Sequence, residues 1–267
     1  MRAGVLVFAL LVTGTARASD PPPQEFGNNP ALVCPDGSPG ETCDSEDVLN
    51  AVEFGADHKI AIEAGCLYRT RAPCKPIAHG RIIGARQGKP LIWQQMVLSP
   101  SDGPLTHMLV IAEGDSGETP YVLAARQTDG WFAPPMLVEN GTEGMLLHAP
   151  GRRAGSGSGR ADIILSRHPQ GWTTFSIPDL LDEAQGLMPA GFALAGGAAV
   201  DLSELIITVP VSRAGDAGCC PTGGTALIDL DMPEGNMIRV SRVVFIESQP
   251  VATRRLEPGD AAGGAPE

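Results

Sequence analysis

The chain has 267 residues, 33 of them glycine and 24 proline, with 4% aromatics and a formal net charge of −12. That charge, with no basic stripe to offset it, repels phosphate backbones and argues against nucleic acid as a partner. Abundant Gly and Pro with few aromatics describes many turns between short elements, and an Ala, Gly, Pro and Arg bias with three lysines (Lys59, Lys75, Lys89) points to a bacterial source.

The N-terminus reads as an export signal over residues 1–18. Arg2 supplies the positive region, Val5 to Val12 the apolar run, and Ala16-Arg17-Ala18 the small-x-small pattern, so cleavage is expected before Ser19. A spanning helix needs about 20 apolar residues, and this run is far shorter. Removing Arg2 and Arg17 leaves 17 basic residues against 31 acidic, a formal charge of −14. No later stretch is long enough to span a bilayer. A soluble product without a membrane span is expected in the periplasm, or secreted beyond it.

Residues 19–33 carry three consecutive prolines and no periodicity, the mark of a flexible leader. Residues 34–78 form a cysteine-bearing segment of different character. Asp44 or Ser45 can cap a helix with Val48, Leu49 and Val52 on one face, and a second helical piece is expected over Ile60 to Ala64.

Residues 79–250 switch to short apolar runs separated by turn signals. Strands are expected at Arg81–Ala85, Leu91–Leu98, His107–Ala112, Tyr121–Arg126, Trp131–Val138, Met145–His148, Ala161–Arg167 and Trp172–Ser176. Further strands follow at Phe192–Leu194, Leu205–Val211, Thr225–Leu230 and Met237–Glu247, with one helix near Pro178–Leu187. The fold class is mainly β: antiparallel hairpins forming a sandwich or open barrel, beside a small helical, cysteine-bearing N-terminal segment. A weak likeness among the runs beginning at Ile82, Val122 and Ile163 has a period near 40, which offers a β-propeller-like repeat as the alternative. Residues 251–267 read as a disordered tail.

Six cysteines in an exported chain argue for disulfides, with 15 possible connectivities. The simplest joins Cys34 to Cys43, Cys66 to Cys74, and the neighbours Cys219 and Cys220 to each other. The alternative ties Cys219 and Cys220 back to the N-terminal segment. A third possibility keeps them as a reactive pair working with a histidine, such as His107 or His148, in a thiol-dependent or hydrolytic enzyme. The five histidines are scattered and are expected at strand ends or on the surface. No spacing suited to a metal or cofactor occurs.

The stretch Gly151 to Arg160 places Arg152, Arg153 and Arg160 in a glycine-rich loop of an acidic protein. Arginine forks and glycine amides suit a phosphate or carboxylate, which makes these three the candidate ligand-binding residues, although a mobile linker has the same composition. The acidic turns Glu113–Glu118 and Asp229–Asn236 lack the spacing of a calcium loop and read as solvated hairpin tips. Trp93, Trp131 and Trp172 suit packing at strand starts.

The element Cys219-Cys220-Pro221-Thr222-Gly223-Gly224-Thr225-Ala226 resembles one found in uncharacterised bacterial exported proteins and lipoproteins, and the hairpin Tyr121 to Trp131 is similar to theirs. The likeness covers the latter half of the chain, and the lipobox of the lipoprotein members is missing here. It implies a location, not an activity. The expected function is non-catalytic binding of a small ligand, or association with an envelope protein.

Overall fold

Alternating apolar residues dictate strands, and the strands zip sequentially because short turns join them. In the computed structural model, residues 31–55, 62–83, 89–114, 118–140, 144–154, 159–168, 171–232 and 237–248 are described. The signal, most of the leader, the tail, and the start of the helical piece near Ile60 lie outside them.

Helix α1 (Ser45–Asn50) follows a short 3-10 turn at Gly40–Thr42. Asp44 caps it by accepting from the amides of Glu46 and Asp47, and Asp47 returns a bond to the Asp44 amide. Sheet I follows as a meander of β1 (Cys74–Ile82), β2 (Leu91–Leu98), β3 (Thr106–Glu113) and β4 (Tyr121–Thr128). Next come β5 (Trp131–Phe132), β6 (Met136–Asn140), β7 (Met145–Ala149), β8 (Gly151–Arg152), β9 (Ile163–His168) and β10 (Gly171–Phe175). Strands β6, β7, β9 and β10 make sheet II, while β5 and β8 pair as a separate ribbon. Helix α2 (Ile177–Gln185) leads to sheet III, built from β11 (Phe192–Leu194), β12 (Ala199–Asp201), β13 (Ile206–Arg213), β14 (Gly224–Asp231) and β15 (Arg239–Glu247). All pairings are antiparallel. The fold is mainly β. No described helix is long and apolar enough to cross a membrane.

The layers stack face to face in chain order. Along β7, Leu147 points with Leu165 of β9 toward Leu109 and Ile111 of sheet I, whereas the intervening Leu146 joins Ile164 in packing on α2 and sheet III. Sheet I alternates likewise: Met108 and Val110 turn away from sheet II and meet Val33, Val48, Leu67 and Tyr68 of the N-terminal segment. Both faces of sheets I and II are therefore covered, which is why β3 and β7 read as nearly unbroken apolar runs.

The forty-residue likeness is not the unit of this fold. Ile82 ends the first strand of sheet I, Val122 lies in its fourth strand, and Ile163 begins the third strand of sheet II. What recurs is the four-stranded meander. Strand β1 also begins earlier than expected, at Cys74, so the cysteine-bearing segment ends inside it. Pro76 obscures the strand signal, and β1 accommodates it as an edge strand with a register shift between Pro76 and Ala78.

Candidate functional site

Backbone that does not zip into a sheet must find other partners when buried. Residues 31–72 solve this with side-chain amides from sheet I. Gln127 accepts from the amides of Leu32 and Val33, each at 2.8 Å, and donates to the Val33 carbonyl at 2.9 Å. Gln94 accepts from the Leu67 amide at 2.8 Å and donates to the carbonyls of Ile62 and Gly65. The Tyr68 hydroxyl donates to the Val33 carbonyl, and burial pushes that phenol's pKa up. Disulfides Cys34–Cys43 and Cys66–Cys74 close the segment, matching the simplest pairing of the four N-terminal cysteines.

Cys219 and Cys220 differ. Both are free, exposed thiols, joined neither to each other nor to the N-terminal segment. They sit in the β13–β14 connection, which one carboxylate organises. Asp216 accepts from the amides of Arg213 (2.7 Å) and Thr222 (2.8 Å) and from the Thr222 hydroxyl (2.7 Å). Those bonds, led by the Thr222 amide, hold the Asp216 carboxyl below its ordinary range. Its return strand starts at Gly224, whose φ of +130° and close approach to the Ile246 carbonyl leave no room for a side chain. The Cys220 thiol is pushed up, first by its hydrogen bond with Cys219, then by burial and the Asp216 charge. Thiolate chemistry needs the opposite environment.

The three arginines of the glycine-rich loop part company. Arg152, in β8, and Arg153 are exposed, and Arg153 approaches Asp129 at 3.9 Å. Residues 155–158 lie outside those described, but the flanks of the loop are tied together: the Arg153 amide donates to the Gly159 carbonyl, and Arg152 bridges Arg160. Arg160 turns inward. Its Nε and one terminal nitrogen grip the carboxylate of Asp162 at 2.6 and 2.7 Å, and the other terminal nitrogen donates to the Ala198 carbonyl at 3.0 Å. His148 Nε2 completes the Asp162 shell at 2.8 Å, and Arg126 donates to the Asp162 carbonyl at 3.1 Å. The Asp162 side chain is fully buried. Burial pushes its carboxyl up, yet the hydrogen bonds and charges of His148 and Arg160 overcome that and hold it below the ordinary value. His148 is thus a buried hydrogen-bond partner of Asp162 in β7, not the expected surface residue or thiol partner.

This cluster backs onto a cavity of about 340 Å³ between α2 and residues 194–198. Arg160 forms part of one wall, Ile177, Leu181 and Leu194 supply apolar surface, and Asp182 and Gln185 add polar groups. Gly197, at φ +94°, lets the 194–198 segment fold back along the cavity. Ser176 caps α2 beside it, and Gln185 pins that segment by accepting from the Leu194 amide at 2.7 Å.

Of the two acidic turns, residues 115–117 and 233–236 lie outside those described, and their first carboxylates have structural partners. Glu113 pairs with Arg167 and accepts from the Trp172 indole, joining sheets I and II. Asp229 pairs with Arg242. Among the described residues no group of three or more His, Cys, Asp or Glu is placed to hold a metal ion. No family model matches the chain, and no curated protein or solved structure is significantly similar to it.

Proposed function

We propose that the chain is an exported, non-catalytic protein of the periplasm, or secreted beyond it, that binds a small ligand in the cavity between α2 and residues 194–198. The observation that carries this reading is the cavity wall itself. Arg160 is held in one orientation by a buried two-point pair with Asp162, so a charged donor is fixed in place before any ligand arrives. The volume lies near the lower end of the range for small-molecule sites, about 300–1,000 Å³.

Export is supported by the signal pattern around Arg2, Val5–Val12 and Ala16-Arg17-Ala18, and by two disulfides of a kind that persist in oxidising compartments. The likeness of Cys219–Ala226 to exported bacterial proteins points to the same location. A thiol-enzyme reading draws no support from a Cys220 thiol pushed upward beside Asp216. The test is a thermal-shift screen of the mature protein against amino acids, organic acids and sugars, run alongside Ala195→Trp, which places an indole into the cavity lining. Ligands that stabilise the parent but not the variant support the reading. Stabilisation that survives the filled cavity counts against it, as does a screen without a hit.

A further inference from the structure

We infer that the cavity takes a small zwitterion of the amino-acid type: a carboxylate and an ammonium on an apolar body. This deepens the small-ligand reading and rests on it. The carboxylate preference follows from charge counting in the cluster. Two guanidiniums, Arg126 and Arg160, converge on one carboxylate-bearing residue, Asp162, so the cluster keeps at least one excess positive charge. Arg160 has five N–H groups. Three donate to Asp162 and the Ala198 carbonyl, which leaves two N–H groups of this cavity-lining residue without an acceptor among the described residues.

A place for an ammonium is offered by Asp182. This residue lines the same cavity from α2, is exposed, and has no salt-bridge partner among the described residues. The same cavity is lined by Ile177, Leu181 and Leu194, which suit an aliphatic side chain. A simple anion would leave Asp182 repelling it, and a simple cation would meet the excess positive charge of the cluster. A ligand carrying both charges satisfies both walls, and the cavity volume limits it to a free amino acid or a very short peptide.

Calorimetric titration of the mature protein with four probes tests this: leucine, leucyl-leucine, 4-methylpentanoate, which lacks the ammonium, and 3-methylbutylamine, which lacks the carboxylate. Deleting charges from the probe avoids disturbing the Arg160–Asp162 pair. At least one zwitterion is expected to bind about ten-fold or more tightly than either single-charge probe. Which zwitterion binds better separates a free amino acid from a peptide. In Asp182→Asn, an exposed change that leaves the buried cluster intact, the advantage over 4-methylpentanoate is expected to vanish. If 4-methylpentanoate matches the zwitterions in the parent, the amino-acid class is overturned while a carboxylate-binding cavity stands. An advantage undiminished in Asp182→Asn overturns the assigned role of Asp182 and the inference with it. If none of the four binds, the inference falls, and the wider screen with Ala195→Trp decides the cavity reading separately.

Discussion

Two buried polar systems lie between layers of the stack, and they are built from opposite chemistry. Over sheet I, Gln94 and Gln127 offer neutral amides whose donors and acceptors meet an irregular backbone. Beside α2, Arg126, His148, Arg160 and Asp162 bring charges together next to a cavity. Neutral amides stitch at low electrostatic risk, since nothing charged is taken out of water. Burying ions is costly unless every one is paired, and it gains no stability over an apolar core of the same volume. The comparison teaches that the glutamine system explains itself by the fold it holds, whereas the charged system asks for a further role.

Removing one partner of the charged system should be the most damaging change. Asp162→Asn keeps the size but leaves two buried guanidiniums without their carboxylate charge, and is expected to cost about 3–5 kcal/mol. That corresponds to a fall in Tm on the order of 10 °C in a scanning calorimetry trace. A loss below about 1 kcal/mol, the range of exposed pairs, would erase the distinction between the two systems.

The neutral system should respond less. Gln127→Leu fills the space but strands the amides of Leu32 and Val33, at a cost of about 1–3 kcal/mol by denaturant titration. Because the Cys34–Cys43 and Cys66–Cys74 bridges remain, the damage is expected to show as faster proteolysis near residues 31–33. Unchanged stability would mean that those amides find other partners.

Acid separates the two without mutation. Asp162 has a folded pKa below its unfolded value, so its contribution is complete above the ordinary carboxylate range and is lost as pH falls through the lowered folded value. Glutamines do not titrate. Ligand binding at the Arg160 wall should therefore weaken below that ordinary range, while hydrogen-exchange protection around Leu32 and Val33 persists until global unfolding. Simultaneous loss at one pH would contradict this. The smallest effect belongs to the exposed pair Cys219 and Cys220: serine at either position is expected to change stability by no more than about 0.5 kcal/mol and to leave ligand binding intact.

Strand positions were legible because alternation is a local signal. Leu91–Leu98 and Phe192–Leu194 fall where the pattern places them, and Asp44 caps α1 as its position before Ser45-Glu46-Asp47 suggests. The two-residue strand β8 and the three-residue β12 are too short for any period to emerge. The glutamines went unnoticed because a polar residue inside a strand run ordinarily marks the solvent face, and only the layer built over sheet I inverts that meaning for Gln94 and Gln127. Arg160 was singled out together with Arg152 and Arg153 by proximity in sequence. What separates them is Asp162, two residues on, together with His148 from β7, a pairing no spacing rule reveals. The pair Cys219–Cys220 drew attention by composition alone, and the hydrogen bonds of Asp216 show how that turn is held without a bridge.

The central claim is that the cavity beside Arg160 is where a ligand binds. It is tested most directly by hydrogen exchange of the mature protein with and without a saturating zwitterion such as leucyl-leucine. Protection gained at residues 177–185 and 194–198, with none at 214–223, is the predicted result. Protection confined to the Cys219–Cys220 loop, or to the outer strands of sheet III, would contradict the account.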